Sequence, residues 1–106
     1  MAEFVKGDVV VVPFPFSDLT QAKRRPALVL ADLDGNDRIL CQITSRHVQD
    51  RYAVPLEQGD FLSGGLSLPS NIRPNRLFTA ESRIILSQVG HLSERKLTQV
   101  IESVIK

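Results

Sequence analysis

Strand-like hydrophobic runs dominate the first half of this chain of 106 residues. The segment Asp8–Pro13, DVVVVP, contains four consecutive valines, which favour a strand buried on both faces. Pro13 and Pro15 cannot donate hydrogen bonds to a neighbouring strand, so we expect the strand to end there or to become an edge. Residues 14–25, FPFSDLTQAKRR, then predict a long loop, and loops of this length are usually functional or mobile.

Two more strands are predicted at Pro26–Ala31 and Arg38–Ile43. Between them lies Asp34–Asp37, DGND, whose Asp-Gly and Asn residues are typical of a hairpin turn. The first three strands are therefore expected to form an antiparallel meander.

The second half of the chain is divided into shorter pieces by glycine and proline. A fourth strand is predicted at Tyr52–Glu57, and the glycine-rich residues 59–70 predict an irregular segment or an edge hairpin. The elements expected after it are strands at Ser70–Arg73 and Arg76–Phe78, a helical turn at Thr79–Arg83 and a strand at Ile84–Gly90.

Helical spacing appears only at the C-terminus, where apolar residues recur three and four positions apart. These are Leu97, Val100, Ile101 and Val104. Ser93 is a good N-cap for such a helix. The pattern predicts a mainly β fold: a small, strongly curved sheet or barrel of about six or seven strands, closed by one C-terminal helix. We expect a single domain over residues 1–106.

The composition is that of an ordinary globular protein, with 42% hydrophobic and 24% charged residues. The one cysteine, Cys41, excludes an internal disulfide and is expected to be a small buried hydrophobic residue. The N-terminus lacks the pattern of a secretory signal, and no apolar run reaches the roughly 20 residues that span a bilayer. We therefore expect a cytoplasmic protein.

Positive charge is concentrated in three windows, although the net charge of the chain is only +1. Residues 19–31 carry a charge of +3, and residues 38–51 and 71–83 carry +2 each. Most of these cations are arginines, whose planar guanidinium suits phosphate and base edges. If the windows converge in the fold they form a polyanion site; otherwise they are scattered surface charges.

Metal and nucleotide-cofactor chemistry finds little support in the sequence. The only histidines, His47 and His91, are far apart in sequence, and no metal-binding spacing occurs. Gly64-Gly65 lacks the Lys-Ser/Thr of a phosphate-binding loop. RNA cleavage needs neither metal nor cofactor, because the 2′-hydroxyl of RNA is itself a nucleophile. The protein must hold the strand, accept a proton and stabilise charge on the phosphate.

Four motifs together resemble the MazF/PemK family of endoribonuclease toxins from type II toxin–antitoxin systems. They are KGDVV at 6–10, RPALV at 25–29, QITS at 42–45, and FT, SRI and VGHLS between residues 78 and 93. The resemblance implies an SH3-like barrel that cleaves single-stranded RNA without a metal or cofactor. It also implies a homodimer and a cognate antitoxin whose disordered tail occupies the RNA groove.

The same resemblance suggests roles for particular residues. Arg25 matches the arginine of the family's RPA motif and is expected to bind the scissile phosphate. Thr44 and Ser45 match a Thr-Ser pair that contacts phosphate or base, the alternative being a local bond to the backbone. Arg73 falls where the PemK-like branch has a catalytic arginine. The further residues expected to contact RNA are Arg24, Ser45, Arg46, Arg76, Phe16 and Asp18.

The position at which the PemK-like branch has an acidic residue differs in this chain. The PemK-like branch has an aspartate where this chain has Asn75, and an asparagine cannot accept the 2′-hydroxyl proton as a base. His47 is the best substitute among the catalytic candidates, since its free pKa suits proton transfer near neutrality. Asp18 is the other option; its alternative role is to form a turn.

Other interpretations remain open. Phe14, Phe16, Phe78 and Tyr52 lie near the basic windows and can stack on bases, but with few aromatics in the chain most are needed for the core. Without a working base, the same barrel would be a protein-binding module that inhibits or docks a protein such as DNA gyrase. A structural SH3-like domain without a nucleic-acid role is a third interpretation.

Overall fold

Strands build most of the structure, a computed structural model that describes residues 4–15, 22–33, 35–45 and 51–105. The elements in this part of the chain are β1 (Asp8–Pro15), β2 (Ala22–Asp32), β3 (Asp37–Thr44), β4 (Val54–Leu56), β5 (Phe61–Gly64), β6 (Ser70–Glu81), β7 (Ser87–Leu92) and α1 (Glu94–Ile105). The strands form one antiparallel sheet in the order β4-β6-β3-β2-β1-β7-β5. The predicted mainly β fold with one C-terminal helix is confirmed.

The predicted meander is confirmed, because β1, β2 and β3 are neighbours in the sheet. The hairpin turn between β2 and β3 includes Gly35, whose φ of 79° is readily reached by glycine. The Leu33 N–H donates to the Asp37 carbonyl over 3.1 Å and closes this turn. Asp34, the first residue of the predicted turn, lies outside the described residues.

The expectation of a loop over residues 14–25 is wrong at both of its ends. β1 continues to Pro15 and β2 begins at Ala22, and the two strands pair from Val9 opposite Leu28 to Pro15 opposite Ala22. Pairing with β7 covers only Asp8 to Val11, so Pro13 and Pro15 lie where β1 has one neighbour. A proline is tolerated there because no second ladder requires its missing N–H.

A single long strand, β6, replaces the two short strands and the helical turn that the sequence predicted between residues 70 and 83. The strand is interrupted by a bulge: Gln42 and Cys41 are adjacent on β3, yet they face Arg73 and Leu77 on β6. The three residues from Pro74 to Arg76 are therefore extra, and Pro74 explains the interruption because it cannot donate to the ladder. The helical turn occurs later, as a 3-10 turn at Ser82–Ile84.

The apolar side chains form two clusters, one on each face of the sheet. The larger cluster is covered by α1 and includes Val9, Leu28, Ile43, Ile72, Leu92, Leu97 and Val100. The second includes Phe4, Val10, Val12, Ala27, Val29, Leu40, Ala80 and Ile85. Successive valines of β1 thus point to opposite sides, which confirms the predicted burial on both faces.

The C-terminal helix begins as the sequence predicts. The Ser93 hydroxyl accepts a hydrogen bond from the Lys96 N–H over 3.3 Å, as an N-cap does. Leu97 and Val100 are buried on the inner face of α1. In the part of the chain that the structure describes, no helix combines the length and hydropathy needed to cross a bilayer.

Candidate functional site

Three of the predicted catalytic residues lie on neighbouring strands and on the same face of the sheet. Gln42 on β3 faces Ala27 on β2 and Arg73 on β6. Because side chains alternate along a strand, Arg25 and Thr44 share this face, each two positions from one of these residues. Continuing the register of β2 and β3 places Arg25 opposite Thr44, and Arg73 is then the diagonal neighbour of Thr44 on its other side.

The charge and burial of these three side chains favour binding of an anion. Thr44 is buried, and Arg25 and Arg73 are half-buried. The Nε atoms of both arginines are shielded from solvent. Two guanidinium groups on either side of a threonine hydroxyl supply positive charge and directed donors, and their partial burial strengthens attraction to a phosphate.

A pocket opens at the strand ends where β2 begins and β3 finishes. Arg25 is the one member of the row that lines it, and the other strand residues of its lining alternate onto the opposite, α1-covered face of the sheet. The volume of the pocket is about 250 Å³. β2 contributes Arg24, Arg25 and Pro26 to the lining, and β3 with its following residue contributes Ile43 and Ser45. The remaining wall is formed by residues 66–68 and by Ser70. We call this cavity the basic pocket.

The predicted RNA-binding residues divide into three groups. Arg24 and Ser45 are exposed and line the basic pocket, as an RNA contact requires. Arg76 is exposed in the β6 bulge and does not line that pocket. The remaining RNA-binding candidates, Phe16, Asp18 and Arg46, lie outside the described residues, as does the catalytic candidate His47.

The described lining of the basic pocket contains neither a carboxylate nor an imidazole. Asn75, which takes the place of the family's acid, is exposed in the bulge of β6 two residues after Arg73. The described residues therefore supply cations and hydroxyls to the site, whereas both candidate bases fall outside them.

The part of the pocket lining formed by residues 66–68 and Ser70 was not predicted from the sequence. The sequence predicted an irregular segment or an edge hairpin over residues 59–70; β5 is an edge strand paired with β7, and Gly64 and Gly65 then turn the chain toward the end of β3. Gly65 donates its N–H to the Val89 carbonyl over 3.0 Å, and Ser70 donates its hydroxyl to the Leu68 carbonyl over 3.0 Å. The available signal was the clustering of glycine and proline, which marks a turn but not its direction.

One arginine of the basic windows has a structural role. Arg38 is buried at 7% exposure, and its guanidinium donates to three backbone carbonyls. Its Nε reaches Phe4 over 2.7 Å, and its Nη1 reaches Asp37 over 2.9 Å and Gly35 over 3.3 Å. It joins the N-terminal segment to the β2–β3 hairpin and does not contribute to the basic pocket.

The buried carboxylate of Asp8, at the start of β1, joins β1 to β7 and to the preceding residues through hydrogen bonds. Asp8 accepts hydrogen bonds from the Val5 N–H over 2.9 Å and from Gln88 Nε2 over 2.8 Å. His91 Nδ1 lies 2.7 Å from the same carboxylate, which joins β7 to β1. His91 therefore packs structurally, as the sequence predicted, and is kept apart from the basic pocket.

Two further expectations concern single side chains. Phe78 packs against the second hydrophobic cluster, which supports its assignment to the core. Tyr52 is 48% exposed, and the Arg51 guanidinium lies 5.0 Å from its ring centroid. Among the described residues, no group of three or more His, Cys, Asp or Glu side chains is placed to hold a metal ion.

Comparison with known proteins points to one family. Residues 5–106 match the family described as PemK-like, MazF-like toxin of type II toxin–antitoxin system. No curated protein matches the sequence.

Several solved structures share the fold at low sequence identity. A mycobacterial endoribonuclease in complex with its cognate antitoxin superposes with a TM-score of 0.76 at 10% identity, covering 96% of this chain and 91% of that one. A chain of a MazE–MazF crystal structure from Deinococcus radiodurans superposes with a TM-score of 0.72 at 20% identity, covering 98% of this chain and 93% of that one. The Mycobacterium tuberculosis toxin MazF-mt6 superposes with a TM-score of 0.69 at 19% identity, covering 92% of this chain and 91% of that one.

Proposed function

This chain belongs to the PemK-like, MazF-like toxin family of type II toxin–antitoxin systems, and we propose that it is an endoribonuclease that cleaves single-stranded RNA. The observation that carries the proposal is the row of Arg25, Thr44 and Arg73 on one face of β2, β3 and β6. Cleavage of messenger RNA at selected sequences would stop translation and growth, which is how such a toxin acts in this proposal.

The reaction uses the 2′-hydroxyl of the substrate as nucleophile. The 2′-oxygen loses its proton to a general base and attacks the adjacent phosphorus, the bond to the 5′-oxygen of the next nucleotide breaks, and that oxygen takes up a proton from solvent. The products are a 2′,3′-cyclic phosphate and a 5′-hydroxyl end. Because the nucleophile belongs to the RNA, the protein needs no metal ion to generate it.

Arg25 and Arg73 stabilise the negative charge that grows on the phosphate oxygens during attack. A guanidinium group gives up a proton too reluctantly to act as a general acid, so electrostatic stabilisation is the role of both arginines. The Thr44 hydroxyl lies between them and donates to a phosphate oxygen. Arg24 and Ser45 are exposed where β2 begins and β3 ends, and they contact the RNA strand where it passes this edge of the sheet.

Removal of the 2′-hydroxyl proton requires a separate group. We assign this step to His47, which follows the Thr44-Ser45-Arg46 segment in sequence, with Asp18 as the second candidate. An imidazole titrates close to neutral pH, which suits a general base.

Two protein partners belong to the proposal. Structural neighbours were solved as complexes of toxin and antitoxin, and we infer that an antitoxin also binds this chain and blocks its RNA site. A homodimer is supported by exposed apolar side chains that a second copy would cover. These are Val5, Leu33, Ile84 and Leu86, which are between 41% and 50% exposed.

Substitution of Arg25 tests the proposed function. Arg25→Ala is expected to lower the rate of cleavage of a labelled single-stranded RNA, in EDTA, by about 100-fold or more, because a charge-stabilising donor is lost. Arg95→Ala is the matched control, since Arg95 is exposed on α1 and distant in sequence from the basic pocket. Circular dichroism and thermal melting establish that both variants are folded.

Cleavage by Arg25→Ala at the rate of the Arg95→Ala control would contradict the assignment of Arg25. Binding of RNA by the unmodified protein without any cleavage would favour the alternative, in which the barrel is a binding module that lacks a general base.

A further inference from the structure

A side-chain amide lies next to Thr44 on the face of the sheet that carries the proposed catalytic row. Asn71 on β6 is paired directly with Thr44 on β3, on the side of Thr44 that is turned away from β2 and Arg25. Asn71 is half-buried, whereas Ile72 after it is buried in the cluster that α1 covers. Because side chains alternate along a strand, Asn71 shares the other face with Thr44 and Arg73.

The position of Asn71 is not explained by the stability of the sheet. Within the part of the chain that the structure describes, its side-chain amide forms no hydrogen bond. Its cross-strand neighbour on β4 is Pro55, whose ring offers neither a donor nor an acceptor. Asparagine is disfavoured in strands, and a half-buried amide without a partner costs stability. Such a residue beside Thr44 and Arg73 therefore favours a role in binding a ligand.

Of the two amides on this face, Asn71 is the one placed to share a ligand with Thr44. Gln42 lies on the same face, but its cross-strand neighbours are Ala27 and Arg73. Side chains directly opposite each other on antiparallel strands have Cβ atoms about 4.5–5.5 Å apart. At this separation the short side chain of Asn71 and the Thr44 hydroxyl can contact the same phosphate.

An amide adds a donor without adding charge. Its NH2 group carries two N–H donors. Neutral donors that are already in position stabilise the negative charge that develops on oxygen in a transition state. In the proposed reaction this charge grows on the two non-bridging oxygens of the attacked phosphate.

We propose that the Asn71 amide donates a hydrogen bond to a non-bridging oxygen of the scissile phosphate, on the side of Thr44 opposite to Arg25. Asn71 is then a further catalytic residue of the site. The proposal rests on the proposed RNA cleavage, because it concerns the phosphate that this reaction attacks.

Two substitutions separate a contact with phosphate from a structural role. Asn71→Ala removes the donors, whereas Asn71→Asp keeps the shape of the side chain and places a negative charge beside the phosphate. Asn36 provides the matched controls, because it is an exposed asparagine in the turn before β3, at the opposite end of that strand from Thr44. Asn36→Ala and Asn36→Asp make the same chemical changes away from the site.

The first measurement is the cleavage rate of a labelled single-stranded RNA. Asn71→Ala is expected to lower kcat about 100-fold, with a smaller change in KM, because a donor to the transition state is lost. Asn71→Asp is expected to be at least as impaired but to melt no lower than the unmodified protein, since its carboxylate is attracted to Arg25 and Arg73.

Cleavage by Asn71→Ala at the rate of Asn36→Ala would overturn the role of Asn71 and leave the proposed ribonuclease function intact. A loss of activity in Asn71→Asp that is matched by a fall in its melting temperature would also contradict the proposal, because a structural role predicts that result.

The second measurement identifies the atom that Asn71 contacts. Two RNAs carry sulfur in place of one or the other non-bridging oxygen at the cleaved bond, since sulfur is a weak hydrogen-bond acceptor. One of them is expected to slow cleavage by Asn36→Ala, and the slowing should be about threefold or more smaller in Asn71→Ala, where the affected bond is already absent. Equal slowing in both variants with each RNA would contradict the proposal.

The third measurement is binding, which requires no cleavage. The probe is the same RNA with a 2′-deoxy nucleotide before the cleaved bond. Asn71→Asp is expected to bind it about tenfold or more weakly than Asn36→Asp, although both have the same net charge, because only Asn71→Asp places a carboxylate against the phosphate. Equal affinities would overturn the Asn71 proposal, whereas a failure of the unmodified protein to cleave any RNA would overturn the proposed function.

Discussion

The role of each arginine follows from what surrounds its guanidinium group. Arg38 is enclosed by backbone carbonyls and stabilises the fold. Arg83 is 80% exposed in its side chain and pairs with Glu81 over 2.9 Å, an arrangement that contributes little to stability. Arg25 and Arg73, half-buried with shielded Nε atoms, flank Thr44 on the face where we place the scissile phosphate.

Cys41 is buried in the larger hydrophobic cluster, and burial raises the pKa of its thiol from 9.0 to about 12. Because only the thiolate is a strong nucleophile, we expect no reaction with a thiol reagent at pH 8 in the native protein and rapid reaction after unfolding in urea. Rapid labelling of the native protein would contradict the buried position.

The same pKa shift predicts a pH dependence of stability. The native thiol has the higher pKa, so its contribution is complete below the unfolded value of 9.0 and is lost as the pH rises toward 12. The free energy of unfolding should fall across this range more steeply in the unmodified protein than in Cys41→Ala, as measured by urea denaturation at several pH values. Parallel pH profiles would contradict this prediction.

At the scale of elements, the turn from β5 into residues 66–68, which line the basic pocket, depends on glycine. Gly64 has a φ of 69°, and a Cβ at this position would collide with the Val89 carbonyl and the Gly90 Cα. Gly64→Ala is therefore expected to lower the melting temperature by about 4–8 °C for each kcal/mol of strain. Calorimetry measures this change.

Gly59→Ala is the matched control for this turn, because nothing lies within 4 Å of a Cβ built at Gly59 and its φ is not in the left-handed region. Its melting temperature should stay close to that of the unmodified protein. If Gly64→Ala and Gly59→Ala have the same melting temperature, the close approach of β5 and β7 at Gly64 is contradicted.

The elements that local pattern determines were predictable, and those set by pairing were not. The valines of β1 and the Asp-Gly turn before β3 are local signals, and both were confirmed. The length of β6 was missed because its second half is extended through pairing with β3 across a bulge. The pairing of β5 with β7 also joins residues distant in sequence, and the glycines around it indicated only a break.

At the scale of the whole molecule, the candidate site also combines features that local sequence predicts with features that depend on contacts between distant residues. Motifs identified the family, which is confirmed. The register of β2, β3 and β6 places Arg25, Thr44 and Arg73 on one face of the sheet, and their catalytic roles remain a prediction. The charge of each window did not distinguish Arg38, which is structural, from the other arginines. Arg38 donates to the carbonyl of Phe4, which is distant in sequence, and a local charge pattern does not predict such a contact. The wall at residues 66–68 depends on a contact with β7 and escaped prediction for the same reason.

In the proposed reaction, the 2′-hydroxyl of the RNA is the nucleophile that attacks the adjacent phosphodiester bond. The most direct test replaces the nucleotide before the cleaved bond with its 2′-deoxy form in an otherwise identical RNA. We predict that cleavage at that bond stops while affinity for the strand is retained, because only the nucleophile has been removed. Continued cleavage at the deoxy position would contradict the account.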